Sequence, residues 1–167
     1  ELTVKIKENE ETLLAELLNQ TTVDAFHVSH KGKTIYKWHS DYCSSTTPHI
    51  IFSVSKSLTA LLIGCVIDEG LLSEETLVSQ IIPETKGSAF EDASVRNLLD
   101  MSVSSNFIED YEATSGIFLD YRQSTGWNPQ NVDDTSHLKS FLLSLNKNTH
   151  KHGEKFEYHS TNTDMLG

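Results

Sequence analysis

The stretch of sequence that decides the fold runs from Phe52 to Gly70 and reads Phe-Ser-Val-Ser-Lys-Ser-Leu-Thr-Ala-Leu-Leu-Ile-Gly-Cys-Val-Ile-Asp-Glu-Gly. Five of its apolar side chains recur at the i, i+3, i+4, i+7 and i+8 spacing of one buried helix face: Leu58, Leu61, Leu62, Cys65 and Val66. Gly70 stands where a glycine often ends a helix, because it adopts the left-handed backbone conformation freely. The pattern predicts a buried helix that carries Cys65 as a buried thiol.

At the start of this helix, Ser53 and Lys56 form an S-x-x-K pair, which places a hydroxyl and an amine on adjacent helical turns. The unpaired N–H groups and the positive dipole end of the first turn favour a negative charge that develops on Ser53. Burial of Lys56 with the helix would favour its neutral amine form. The alternative makes Ser53 a helix cap and Lys56 a surface charge with a buried stem. The residues alone leave both interpretations open.

Spacing is weak evidence by itself, because serine and lysine are both common in this chain. The sequence contains two further S-x-x-K matches, Ser136/Lys139 and Ser144/Lys147. Both lie in a predicted helix whose apolar stripe is formed by other residues, and both lysines are interpreted as solvated surface charges.

The chain before the decisive stretch is predicted to form a helix and a hairpin. Residues 8–19 place leucines on one stripe of an amphipathic helix. Two β-prone runs, Ala25–His30 and Thr34–His39, flank a turn at Gly32, which is typical of a β-hairpin.

The chain after the decisive stretch is predicted to be mainly helical. A short element covers Leu77–Ile82, and Ser94 is a typical N-cap for a helix over Val95–Met101. Residues 102–134 are polar and irregular, and long irregular segments are often functional. A last helix is predicted over Ser136–Leu145.

Composition excludes several classes of function. The 167 residues carry 13 Lys and Arg against 24 Asp and Glu, for a formal charge of −11, so nucleic acid is not an expected partner. No apolar run approaches the roughly 18 residues of a membrane span. The eight histidines are scattered, with only His150 and His152 close together, so no metal is expected. Two cysteines cannot build a disulfide framework, which leaves the cell compartment open.

The decisive stretch resembles the active-site helix of the serine β-lactamase and penicillin-binding-protein superfamily, and is most similar to its 6-aminohexanoate-dimer hydrolase and esterase branch. The likeness continues in the family's order through four more segments: Val95–Ser104, Glu109–Tyr111, Ser124–Trp127 and Gly153–Leu166. The resemblance implies an α+β fold of the β-lactamase/transpeptidase type, with an antiparallel sheet flanked by helices and a mainly helical subdomain.

The family's enzymes continue for well over a hundred residues beyond the second motif. The resemblance therefore implies that residues 1–167 are the N-terminal portion of one domain, cut before its last strands and third motif. Within it, 1–70 would hold the hairpin and active-site helix, 71–150 the helical subdomain and 151–167 the second motif. The complementary C-terminal part of the same domain is the expected protein partner.

The resemblance also implies roles for single residues. Ser53 would be the acylated nucleophile, Lys56 its proton partner, and Tyr158 the tyrosine of the second motif, here Tyr-His-Ser. Tyr111 and Ser160 would face the substrate. Arg122 aligns where the oligomer-amide hydrolases carry an acidic residue that recognises the substrate's amine end, so a substrate with a cationic end is disfavoured.

The function implied is a serine hydrolase that acts through an acyl-enzyme on a small-molecule ester or amide, without metal or cofactor. The alternative is a non-catalytic binding or sensor module with the same fold, or an inactive fragment. The cell compartment stays open, with a periplasmic or secreted location in a bacterium slightly favoured over the cytoplasm.

Overall fold

The computed structural model describes residues 2–8, 10–130 and 137–167. It divides the chain into two compact units, Glu1–Ile50 and Ile51–Gly167. The described residues form four strands in two antiparallel pairs and seven α-helices, which confirms the predicted α+β class. None of these helices is long and apolar enough to cross a membrane.

The first unit begins with a strand pair in place of part of the predicted helix. Strand β1 (Thr3–Lys7) pairs antiparallel with β2 (Glu10–Leu13), and helix α1 (Leu14–Asn19) follows. The prediction of one helix over 8–19 is therefore wrong in its first half, where pairing with β1 satisfies the backbone instead. The two buried leucines, Leu14 and Leu18, both lie in the part that is helical.

The predicted hairpin is confirmed. Strand β3 (Ala25–His30) pairs with β4 (Lys33–His39), in a register that sets Ala25 opposite His39. The two turn residues, Lys31 and Gly32, have φ values of 50° and 75°. Two successive positive φ angles match the twist of a two-residue hairpin turn, and glycine adopts this conformation without strain.

Three side chains tie the loop after the hairpin back to its start. The Tyr42 hydroxyl donates to Asp24 Oδ1 at 2.6 Å, and His49 Nε2 bonds the other oxygen of the same carboxylate. His49 Nδ1 lies 2.8 Å from the carbonyl oxygen of Ile50. Because both ring nitrogens face acceptors, the doubly protonated imidazolium satisfies both.

We expect this cluster to be most stable between about pH 4 and pH 6.5. Hydrogen bonds from Tyr42 and His49 lower the pKa of Asp24, so its contribution is present above the unfolded carboxyl pKa and is lost as pH falls through the folded one. The hydrogen bond to Asp24 raises the pKa of His49, so its contribution is present below the unfolded imidazole pKa and is lost as pH rises through the folded one. An NMR titration of the His49 ring, repeated in Asp24→Asn, measures this. A His49 pKa that the Asp24 substitution leaves unchanged would contradict it.

The second unit is helical. Its described residues begin with the 3₁₀ turn Phe52–Val54 and then form six α-helices: α2 (Ser55–Asp68), α3 (Val78–Ile81), α4 (Val95–Leu99), α5 (Ile117–Ser124), α6 (Leu138–Ser144) and α7 (Ser160–Leu166). Helix α7 packs against both α2 and α4, and α5 packs against α6. The N-cap prediction is confirmed, since Ser94 Oγ accepts the Asn97 N–H at 3.2 Å. Helix α5 lies inside the segment predicted to be irregular, and Ser136 lies outside the described residues.

Helix α2 confirms the predicted helix and its end, but not its burial. Gly70 has φ 71° and donates its N–H to the Ile67 carbonyl at 2.9 Å, while the Leu71 N–H reaches Val66 at 3.1 Å. These two bonds form the Schellman motif that glycine commonly allows. The predicted buried face is wrong: Leu58 is 55% exposed, and Leu61 is 66% exposed.

The other side chains of that stripe give the same correction. Leu62 is also largely exposed, Cys65 is an exposed thiol, and Val66 is half-buried. Lys56, which lies outside the stripe, is half-buried as well. Helical spacing shows which side chains share a face, but it does not show what covers that face.

The core of the second unit gathers around Phe107. Its buried members come from four helices and the loops between them: Val78, Ala89, Phe90, Ala93, Leu98, Val103, Phe107, Phe118, Tyr121, Phe141, Leu142 and Leu145. Phe107 is 2% exposed, and its ring centroid lies 5.3 Å from Tyr121, 6.0 Å from Phe141 and 6.1 Å from Phe118.

Replacing Phe107 with alanine should lower the free energy of unfolding by about 3–5 kcal/mol, because it removes a buried ring and leaves a cavity. Urea unfolding of the chain followed by circular dichroism measures the change. Ile108→Ala is the matched control, since Ile108 is the next residue and is 67% exposed. It should shift the unfolding free energy by no more than about 0.5 kcal/mol. Equal losses in the two variants would contradict this core.

Candidate functional site

Ser53 and Lys56 are in direct contact at the start of α2. Lys56 Nζ lies 3.0 Å from Ser53 Oγ and donates a hydrogen bond to it. Ser53 lies in the exposed 3₁₀ turn before the helix, and Lys56 follows one turn later. A hydroxyl at this distance from an amine can lose its proton to that amine when the amine is neutral.

The other S-x-x-K matches do not form such a pair in the described part of the chain. The Ser144 hydroxyl donates to the Phe141 carbonyl at 2.7 Å, and the Lys147 ammonium bonds Asp92. Lys139 donates to Glu84 at 2.8 Å, and its partner serine lies outside the described residues. Geometry therefore separates Ser53/Lys56 from Ser144/Lys147, which spacing alone could not do.

The backbone that leads into Ser53 is strained. Phe52 has φ 42°, a left-handed conformation that a bulky residue rarely adopts. Its carbonyl accepts the Ser55 hydroxyl at 2.6 Å, and its ring stacks on Trp127 with centroids 5.9 Å apart and planes inclined by 23°. Strained residues of this kind persist only where surrounding contacts hold them, and they cluster at functional sites.

Tyr158 also lies close to the Lys56 nitrogen. Its ring centroid is 5.7 Å from Lys56 Nζ, within the range of a cation–π contact. The segment before α7 is fixed to the loop after α4, since the Glu157 N–H donates to Met101 and the Gly153 N–H to Ser102, each at 2.9 Å. The three residues predicted to be catalytic thus meet around one ammonium group.

The two residues predicted to face the substrate, Tyr111 and Ser160, meet on a third residue. Glu109 accepts the Tyr111 hydroxyl and the Ser160 hydroxyl on Oε1, the latter at 2.9 Å, and the Ser160 N–H on Oε2 at 2.6 Å. The bond to Glu109, with some burial, raises the pKa of Tyr111 to about 12. Sequence reasoning did not single out Glu109, because its partner Ser160 lies 51 residues away. Its only signal was its place in the Glu109–Tyr111 segment of the family resemblance.

The Arg122 side chain is held by contacts within the chain itself. Its guanidinium donates to the Ala113 carbonyl at 2.6 Å and lies 5.2 Å from the centroid of the Phe118 ring. The bias against cationic substrates stays a prediction.

A second ionisable group, Asp164, accepts the Tyr121 hydroxyl at 2.8 Å between α7 and α5. Burial raises the pKa of Asp164.

The two histidines that are close in sequence have separate acidic partners. His152 Nδ1 accepts the Ser104 N–H at 2.9 Å, so its Nε2–H donates to Asp92 at 3.0 Å. His150 Nε2 lies 3.2 Å from Glu157. Across residues 2–8, 10–130 and 137–167, no three His, Cys, Asp or Glu side chains are arranged to hold a metal ion.

Comparison with known proteins places this chain in a family. The Beta-lactamase family model matches residues 11–167. The chain is 32% identical over 153 residues to the 6-aminohexanoate-dimer hydrolase of Paenarthrobacter ureafaciens, covering 92% of this chain and 38% of that protein. A solved Bacillus anthracis structure, which carries a provisional form of the same name, has a TM-score of 0.83 at 24% identity. It aligns with 98% of this chain, which covers 43% of it. The chain therefore shares that structure's fold and spans less than half the length of either relative.

Proposed function

We propose, because this chain belongs to the beta-lactamase family, that it carries the nucleophile of a serine hydrolase that cleaves an ester or amide through an acyl-enzyme. The observation that carries the proposal is the 3.0 Å contact between Lys56 Nζ and Ser53 Oγ. It pairs a weak nucleophile with an adjacent base, which acyl transfer by serine requires.

The proposed reaction begins when Ser53 Oγ attacks the carbonyl carbon of the substrate and its proton passes to the neutral Lys56 amine. The Ser53 N–H, at the start of the helix, stabilises the oxyanion that forms. The carbon–oxygen or carbon–nitrogen bond to the leaving group then breaks. Tyr158 gives the leaving group a proton and recovers one from the Lys56 ammonium. Water attacks the acyl-enzyme, its proton returns through the same groups, and the acid and free Ser53 are released.

Tyr111 and Ser160 are proposed to line the substrate side of this site. Tyr111 is 66% exposed, whereas Ser160 is 6% exposed and lies two residues after Tyr158. Both are hydrogen-bonded to Glu109, which brings them together at the start of α7.

The proposed protein partner is the complementary C-terminal part of the same domain, of which residues 1–167 would be the N-terminal portion. Two observations support it. The chain covers 38% and 43% of the two relatives, and Leu58, Leu61 and Leu62 of α2 are exposed. Gly64 of α2 adds a third, because a mid-helix glycine costs about 1 kcal/mol relative to alanine. Apart from its chain neighbours and the backbone of its own helix, no described atom lies within 4 Å of the place its Cβ would occupy, so the glycine leaves room for a further element to pack closely there.

Intact mass spectrometry of the protein, before and after a fluorophosphonate or penicillin probe, tests both proposals. We expect one adduct, mapped by digestion to the peptide that contains Ser53, and co-purification of a second polypeptide in preparations that react. Absence of an adduct with both probes in a preparation that contains the second polypeptide would overturn the hydrolase proposal and favour a non-catalytic module. An adduct on the 18.7 kDa chain alone, at full stoichiometry, would overturn the need for the second part.

A further inference from the structure

We propose that Glu109 is the positioning residue of this site: its carboxylate holds the start of α7, two residues after Tyr158, and sets the orientation of Tyr111. The inference rests on the proposed function, because it assigns Glu109 a task in the chemistry of Ser53. Glu109 touches none of the three proposed catalytic side chains in the described contacts, so its influence passes through the residues it binds.

The first support is the number of donors on one carboxylate. Three donors converge on Glu109: the Tyr111 hydroxyl, the Ser160 hydroxyl and the Ser160 backbone N–H. Hydrogen bonds to an ionised carboxylate are about twice as strong as those between neutral groups. Both oxygens are in use, so the side chain is fixed in rotation as well as in place.

The second support is where the bonds fall in the chain. Ser160 is the first residue of α7, and its N–H has no partner within that helix. Tyr158 lies two residues earlier, in an extended segment. The Glu109 carboxylate therefore determines where α7 begins, and with it the direction in which Tyr158 enters the site.

The third support is the asymmetry of burial around the carboxylate. Ser160 is 6% exposed and the neighbouring His159 is 7% exposed, whereas Tyr111 is 66% exposed. The His159 ring packs edge-on against Phe107 with centroids 5.4 Å apart. Glu109 thus connects a side chain anchored in the core to one that faces solvent, where a substrate would lie.

Glutamine at position 109 separates this role from a merely space-filling one. The amide keeps the size of the carboxylate, but it replaces one acceptor oxygen with an NH₂ donor. In one orientation the NH₂ group faces the Ser160 N–H, donor to donor. In the other it faces the two hydroxyls, which must then accept a hydrogen bond instead of donating one. Either orientation removes the negative charge, and hydrogen bonds between neutral groups are about half as strong as those to a carboxylate, so the bonds that hold Ser160 and Tyr111 weaken.

The experiment compares the protein with Glu109→Gln and Glu112→Gln, the latter a nearby exposed glutamate. Three quantities are measured: the rate of Ser53 labelling by the fluorophosphonate, hydrogen exchange of the Ser160 amide, and tyrosinate absorbance against pH, with Tyr111→Phe assigning the signal. In Glu109→Gln we expect about 10- to 100-fold slower labelling. We also expect Ser160 exchange to rise about tenfold or more, and the Tyr111 pKa to fall from about 12 toward the ordinary value near 10. Glu112→Gln should match the parent protein.

Unchanged Ser160 exchange and an unchanged Tyr111 titration in Glu109→Gln would overturn the inference. So would unchanged labelling beside altered exchange, since Glu109 would then be structural only. If the parent protein is not labelled at all, the proposed function fails by that result. The exchange and titration data would still decide whether Glu109 holds the two residues.

Discussion

Ser53→Ala is expected to abolish covalent labelling by the fluorophosphonate, because alanine has no oxygen with which to form the ester. Ser53 is exposed, so the substitution should leave the free energy of unfolding within about 0.5 kcal/mol of the parent value. Intact mass spectrometry at matched protein and probe concentrations measures the adduct.

The matched control is Ser144→Ala, which removes the serine of another S-x-x-K match. The Ser144 hydroxyl donates to the Phe141 carbonyl inside α6, and its lysine bonds Asp92. Labelling of Ser144→Ala at the parent rate is expected. An adduct that persists in Ser53→Ala, or that disappears in Ser144→Ala, would move the nucleophile away from Ser53.

Lys56→Met is expected to slow acylation of Ser53 by about 10²–10⁴-fold, the range that a positioned general base contributes. Methionine keeps much of the alkyl length of lysine but removes the nitrogen that contacts Ser53 at 3.0 Å. Time courses of adduct formation give the rate constants. The hydroxyl remains in place, so slow labelling at high pH should still be detectable.

Lys147→Met is the companion variant, because Lys147 occupies the lysine position of the Ser144 match and pairs with Asp92 on the surface. It should react like the parent protein. A Lys56→Met rate equal to that of the parent would show that the contact with Ser53 is structural, and would leave another group to accept the proton.

The family and the local structure could be predicted from sequence, because both depend on residues that are close along the chain. The β3–β4 turn follows from one glycine between β-prone runs. The end of α2 follows from Gly70, whose N–H bonds the Ile67 carbonyl only three residues away. The family resemblance is likewise carried by ordered local motifs. The Beta-lactamase match over residues 11–167 confirms it.

The predictions that were wrong depend instead on contacts between residues that are far apart along the chain. Residues 10–13 form a strand because β1 lies beside them, and no periodicity within those residues encodes that partner. The stripe of α2 has a helical spacing that predicts burial, yet Leu61 and Leu62 are exposed. Cys65 lies on the same stripe of α2 and is exposed as well.

The candidate site shows the same division. Ser53 and Lys56 could be found because one helical turn separates them. Glu109 could not, since its bond to Ser160 crosses 51 residues and only the folded chain brings the two together. The hydrogen bond between Glu109 and Ser160 is therefore a contact that sequence patterns do not reveal.

The left-handed backbone of Phe52 has a consequence for how this position would behave under selection. Glycine would relieve a backbone strain of roughly 1–2 kcal/mol, but it would give up a ring stack on Trp127 worth about 0.5–1.5 kcal/mol. The two free-energy terms nearly cancel, so a screen for stability alone would hardly distinguish phenylalanine from glycine at this position. Only a screen that reads the reactivity of the adjoining serine can register what the aromatic ring contributes.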